Sequence, residues 1–185
     1  MNFAIIGLGA IGTYIGASLI FGGDQVIFIE RTDVLSERRE RSLSLERLGQ
    51  TYQIPDPEIV SSVGDALQIR AIDAVIVAIK SFDTPALAQQ LAAYQDRLPA
   101  VISLQNGVEN EIVLAEALGK ERIVAGTLTS AIGRRAAGNV VLERMRGLGL
   151  AAGHQLVPDL AAAFNRAELN ARIYPHAASM KWSKL

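Results

Sequence analysis

Three observations predict an α/β fold with a doubly wound parallel sheet. Short β-branched runs alternate with helical segments from residue 3 to residue 118. Some runs, residues 73–79 above all, are apolar throughout rather than at every second position, the pattern of a strand buried on both faces. The first run ends in a glycine-rich turn that opens directly into a helix.

Residues 3–6 are the first apolar run. Residues 10–21 carry apolar residues at the spacing of an amphipathic helix and stop at Gly22-Gly23, a natural helix terminator. Residues 25–29 are again β-branched and aromatic, which completes a βαβ unit. Residues 34–41 are charged and read as a short exposed helix. Residues 42–54 alternate weakly around Gly49 and predict a small hairpin, punctuated by Pro55 and Pro57. After the buried run at 73–79, residues 84–94 predict a helix with Pro85 in its first turn, where a missing N–H is harmless. Residues 100–104 predict another buried strand, and Gly107 opens a helix over 108–118 closed by Gly119. Residues 122–145 are strand-like, and the turn Ala136-Ala137-Gly138-Asn139 splits them into a hairpin. A strand at 148–152, a helix at 156–166, a strand at 169–173 and a helix starting near Pro175 complete the chain.

Composition narrows the function classes. Half of the 185 residues are hydrophobic, enough for one domain with a sizeable core. The net charge is −1 and no basic stripe stands out, which argues against a nucleic-acid partner. There is no cysteine, so disulfides and thiolate chemistry are excluded. The histidines, His154 and His176, lie far apart, and no close spacing of His, Asp and Glu suggests a metal site. Residues 1–12 lack the positive leader of a secretory signal, and no stretch approaches the roughly 20 apolar residues of a membrane span. The expectation is a cytoplasmic protein without a membrane partner.

Gly7-Leu8-Gly9-Ala10-Ile11-Gly12 matches the pattern GxGxxG. Gly7 permits the tight turn out of the strand, Gly9 lets a pyrophosphate approach the backbone, and Gly12 lets the helix pack close to the sheet. The helix start offers free N–H groups and a positive dipole end to phosphates. The motif is weak alone, but here it follows a strand and opens a helix, the context that gives it meaning. A tight turn with no ligand is the bland alternative. The expected fold is therefore a Rossmann-type sheet with an added hairpin region. Its dinucleotide-binding domain spans residues 1–174, and residues 175–185 begin an inter-domain helix. Two residues bear on the cofactor. Glu30 lies about 20 residues beyond Gly9, where an acidic side chain holds a ribose 2′-hydroxyl and selects NAD(H). Arg31 follows it, and an arginine there can hold the 2′-phosphate of NADP(H). Glu30 either points into the site or turns away and leaves it to Arg31, which could equally be a solvated loop charge.

Further segments carry a family resemblance. After the strand at 73–79 comes Val77-Ala78-Ile79-Lys80-Ser81-Phe82-Asp83-Thr84. After the next comes Ser103-Leu104-Gln105-Asn106-Gly107-Val108-Glu109-Asn110. Gly126-Thr127-Leu128-Thr129-Ser130, Gly138-Asn139-Val140 and the final Lys181-Trp182-Ser183-Lys184-Leu185 follow. In this order they resemble the ketopantoate reductases (2-dehydropantoate 2-reductases), which make pantoate for coenzyme A. The likeness spans essentially the whole chain. It implies NADP(H)-dependent reduction of a small anionic keto acid. It implies that Lys184 is the catalytic lysine, donating a proton or strong hydrogen bond to the keto oxygen as hydride arrives. A positioned cation suits the charge that develops there. Lys181 is three residues away and nearly on the same helix face, but the W-x-K-L frame assigns Lys184. Lys80 and Asn106 would lie beside the nicotinamide and the substrate. Read without the family, Lys80 is a surface charge, Asn106 a turn residue capping the next helix, and Lys181 and Lys184 a solvated helix end.

Departures accompany the likeness. Many family members carry a small residue where Glu109 stands, and Glu30 before Arg31 opposes the usual NADP(H) preference. The family continues into a helical second domain that carries further substrate-binding groups, and this chain ends one residue past Lys184. The expectation is a cofactor-binding part of the reductase, by itself without catalysis. Its last helix would present an apolar face that allows a homodimer. A related dehydrogenase acting on another 2-keto acid is the second enzymatic reading.

Overall fold

The computed structural model describes residues 1–37, 42–107 and 109–182. The chain opens with β1 (Asn2–Ile6), α1 (Ala10–Phe21) and β2 (Gln25–Ile29), followed by α2 (Thr32–Glu37), β3 (Leu43–Arg47) and β4 (Gln50–Ile54). Next come β5 (Ile59–Val60), α3 (Val63–Ile69), β6 (Ala74–Val77), α4 (Thr84–Ala92), β7 (Ala100–Ser103) and α5 (Asn110–Leu118). The last part contains β8 (Ile123–Leu128), β9 (Ala131–Ala136), β10 (Asn139–Arg144), β11 (Leu148–Ala151), α6 (Val157–Arg166), β12 (Ala171–Tyr174) and α7 (Ala177–Trp182). Among the described residues no helix is long and apolar enough to cross a membrane.

The main sheet has eight strands in the order β12-β11-β8-β7-β6-β1-β2-β5. From β8 to β5 every neighbouring pair is parallel. The first strand lies centrally and the chain winds outward first one way, then the other, which is the nucleotide-binding Rossmann order. β11 runs antiparallel to β8 and carries β12 parallel beside it. Successive β1 residues feed opposite cores. Phe3 and Ile5 join Tyr14, Phe28 and Phe164 on one face, and Ala4 and Ile6 join Ile27, Leu87 and Leu114 on the other. β6 is fully buried, as its uninterrupted apolar run predicted.

A second sheet, β4-β3-β10-β9, corrects two expectations. Residues 122–145 are not one hairpin. β8 pairs with β7 in the main sheet, Val101 against Ile123, and only β9 and β10 form the hairpin. The β3–β4 hairpin around Gly49 lies beside it, with Leu45 of β3 parallel to Val140 of β10. This sheet packs on the outer side of α1. The amphipathic helix expected at 10–21 is therefore buried on every side through its middle, from Gly12 to Leu19, and only its end at Phe21 is exposed.

Smaller differences follow local chemistry. The helix expected over 34–41 is α2, beginning at Thr32, and residues 38–41 lie outside the described residues. α5 begins at Asn110 rather than just after Gly107, which takes a left-handed φ of 94° in the preceding turn. β5 and α3 were not anticipated, being only two and seven residues long. Ser62 nonetheless announces α3. Its Oγ accepts the Asp65 N–H at 3.1 Å and donates to the Asp65 carboxylate at 2.6 Å, a reciprocal N-cap.

Candidate functional site

The parallel register brings the ends of four strands to one edge. Ile6 pairs with Ile29 and Val77, and Val77 pairs with Ser103. Gly7, Glu30, Ala78 and Leu104 therefore emerge together, at the point between β1 and β6 where the winding reverses, which is where open α/β sheets bind ligands.

At the centre is the glycine turn. Gly7 adopts φ 100°, and a Cβ there would approach Ile79 at 2.9 Å and the Ala78 carbonyl at 3.2 Å. A Cβ on Gly12 would meet the Gly7 carbonyl at 1.9 Å. A Cβ on Gly9 would instead point into open space with no other atom within 4 Å. Two glycines thus close the turn, and the third leaves backbone accessible at the start of α1. That helix has no acidic residue in its first turn to compete with an anion. Leu8 is buried, and Ala10 and Ile11 pack partly against the core, so these residues meet the crevice through their backbone. This cradle fits the pyrophosphate of a dinucleotide.

At the end of β2, Glu30 and Arg31 diverge. The Glu30 carboxylate accepts the Leu8 N–H at 2.9 Å with one oxygen and the Arg31 N–H at 2.9 Å with the other. The Arg31 guanidinium forks onto both oxygens of Asp33, on the surface. That contact holds the Asp33 carboxyl down at about 2.

At the ends of β6 and β7, Lys80 and Asn106 are both exposed. Their loops are stitched together by polar side chains. Gln105 donates to Thr84 Oγ1 at 2.8 Å and to the Ile79 carbonyl at 3.2 Å. Thr84 donates to Asn110 at 3.0 Å, and Asn110 donates to the Asn106 carbonyl at 2.8 Å and to Ser81 Oγ at 3.2 Å. Ser81 in turn donates to the Asn106 carbonyl at 3.1 Å. The result is a fixed wall for an open cleft lined by Ser81, Phe82, Asn106, Gly107 and Glu109. The alternative reading of Asn106 as the cap of the next helix is not what forms: Glu109 occupies the cap position of α5, without a side-chain cap bond.

α7 returns to this wall. The Lys181 ammonium donates to the Gly107 carbonyl at 2.7 Å and pairs with Glu111 at 2.5 Å, with only 7% of its side chain exposed. Lys184 lies outside the described residues. Among the described residues no group of three or more His, Asp or Glu could hold a metal ion.

Residues 3–153 match the sequence profile of the family described as "Ketopantoate reductase PanE/ApbA". The chain belongs to the ketopantoate reductase family. Relatives named 2-dehydropantoate 2-reductase include one from Halobacterium salinarum, 26% identical over all of this chain and 61% of its own length. Another, from Pyrococcus horikoshii, is 30% identical over all of this chain and 60% of its own. Among solved structures, the 2-dehydropantoate 2-reductase of Geobacter metallireducens superposes with a TM-score of 0.80 at 26% identity, over all of this chain and 61% of that one. The chain thus spans about three-fifths of the length of these relatives.

Within the ketopantoate reductase fold, the glycine turn, Lys80 and Asn106 fall on the one sheet edge where the motifs put them. The wall formed by Ser81, Thr84, Gln105 and Asn110 was missed, because each is a commonplace loop or helix residue. The signal available was Gln105 between an apolar strand and Asn106-Gly107, a polar residue with no solvent to face. Lys181, set aside as a neighbour of Lys184, carries the contact that joins α7 to the wall. Gly16 was also missed. A Cβ there would meet the Phe28 ring at 2.2 Å, so the spacing of Gly12 and Gly16 marks the line along which α1 touches the sheet.

Proposed function

We propose that this chain is the dinucleotide-binding part of a reductase that converts 2-dehydropantoate to (R)-pantoate. The observation that carries the reading is the shared edge: a pyrophosphate cradle at Gly9 lies beside the loops that present Lys80 and Asn106. The bound nicotinamide dinucleotide, NADP(H) by family likeness and NAD(H) by the acidic Glu30, supplies the hydride. The backbone of Gly7, Leu8, Gly9, Ala10, Ile11 and Gly12 orients the pyrophosphate. Lys80 draws an anionic keto acid by its charge, and Asn106 hydrogen-bonds near the nicotinamide ribose or the keto acid. Lys184 donates a proton to the keto oxygen as it becomes an alkoxide.

A longer form carrying the helical half is required for turnover. The pocket must close around the substrate to hold it near Lys184 and to exclude water. The chain alone is expected to bind cofactor and to reduce keto acids negligibly. Assaying the full-length protein with 2-dehydropantoate and a panel of other 2-keto acids tests the reading. Binding of the dinucleotide without turnover of any of them would refute it. Preference for a different 2-keto acid would reassign the substrate and leave the cofactor site standing.

A further inference from the structure

The two residues after β2 argue for different cofactors, and their side chains point different ways. Glu30 is turned into the crevice, with both carboxylate oxygens held by backbone N–H groups, one of them from Leu8 inside the glycine turn. A dinucleotide whose pyrophosphate rests at Gly9 brings its adenosine ribose to this end of the sheet. A fixed carboxylate there accepts hydrogen bonds from ribose hydroxyls. It repels a phosphate, which near neutral pH is mostly the dianion, with two negative charges and no proton to share.

Arg31 does not offset this. Its guanidinium is committed to both oxygens of Asp33, and 72% of the side chain is exposed. Asp83 and Glu30 add to the negative field around it. The one guanidinium available to a 2′-phosphate thus already bonds one carboxylate and lies in the field of two more.

We propose that Glu30 makes this protein select NAD(H) over NADP(H), with its carboxylate as the receptor for the adenosine ribose 2′-hydroxyl. The proposal rests on the dinucleotide reading above and departs from the cofactor that the family likeness implies. The step from Glu to its neutral amide isolates the charge, because Gln keeps an oxygen for the Leu8 N–H.

Parallel titrations with NADH and NADPH, followed by nicotinamide fluorescence, test it on the purified protein, on Glu30→Gln and on Arg31→Ala. NADH is expected to bind about tenfold tighter than NADPH, the factor that about 1.4 kcal/mol of repulsion produces. Glu30→Gln should narrow that gap mainly by tightening NADPH. Arg31→Ala should move both affinities alike, and a second acidic-to-neutral change, Glu30→Leu, guards against a peculiarity of the amide. Tighter binding of NADPH by the unaltered protein overturns the proposal, as does a ratio indifferent to Glu30→Gln. Either result leaves the dinucleotide reading intact. Failure to bind either cofactor removes that reading and the proposal with it.

Discussion

Gly9, Gly12 and Gly16 lie within two turns of one another and have separable roles. Alanine at Gly16 gains about 1 kcal/mol of helix propensity, but its Cβ would enter the Phe28 ring at 2.2 Å. Overpacking wins, so Gly16→Ala should cost roughly 3 kcal/mol and lower the urea midpoint accordingly. Gly9→Ala has room and an ordinary φ of −75°. It should leave stability within about 0.5 kcal/mol and weaken dinucleotide binding about tenfold. Unchanged affinity in a folded Gly9→Ala protein would detach the glycine turn from the cofactor. At Arg31 the check is spectroscopic. The Arg31 hydrogen bond is the largest cause holding Asp33 down at about 2, with backbone N–H groups adding to it, so in Arg31→Ala its carboxyl resonances should titrate higher, toward the ordinary 3.8. A value still near 2 would mean that Arg31 is free to serve elsewhere.

Among the described residues, the Lys181 side chain links helix α7 to helix α5 and to the loop before it. Lys181 crosses from α7 to Gly107 and Glu111, and both partners of the ion pair are largely shielded from solvent. Removing one member of such a pair leaves a desolvated charge, which costs more than the pair itself contributes. Lys181→Met should destabilise by roughly 3 kcal/mol. The double variant with Glu111→Gln should recover part of that loss, because the stranded carboxylate is gone. Amide exchange of the 105–111 loop should accelerate in Lys181→Met more than exchange elsewhere. Additive losses and uniform exchange would show the pair to be incidental. Gly149 explains how α7 sits close enough for this contact: a Cβ on it would meet Met180 at 2.9 Å.

Across the whole molecule, the second sheet seals α1 and with it Tyr14. Burial pushes the Tyr14 phenol above its usual value, with Arg47 and a hydrogen bond to Ser130 working the other way. A raised folded-state pKa means stability that is fully present below the unfolded value of about 10 and is lost as pH rises beyond it. Denaturant midpoints measured from pH 8 to pH 11 should therefore fall, and the fall should be shallower in Tyr14→Phe. Equal slopes would show that the second sheet does not desolvate Tyr14. The acid side is different in kind. Asp33 is depressed, so its contribution is present above about 3.8 and lost toward about 2, but its exposed position makes that contribution small.

The sequence alone determined the alternation of strand and helix, the glycine turn and the sheet edge that presents it, because these depend on residues close together in the chain. Uninterrupted apolar runs identified β6 and β7, and an unbroken order of loop motifs placed Lys80 and Asn106 beyond them. Only the tertiary structure decided the rest. Whether residues 123–128 pair within a hairpin or with β7 depends on a partner strand that is distant in sequence, and both pairings satisfy the same local pattern. The polar wall around Gln105, the crossing of Lys181 and the burial of α1 likewise arise from segments that meet only on folding. Glu30 and Arg31 stand side by side in the chain with opposite implications. The directions their side chains take have different origins: the fold brings the Leu8 N–H to Glu30, while Arg31 turns to Asp33, its neighbour two residues on.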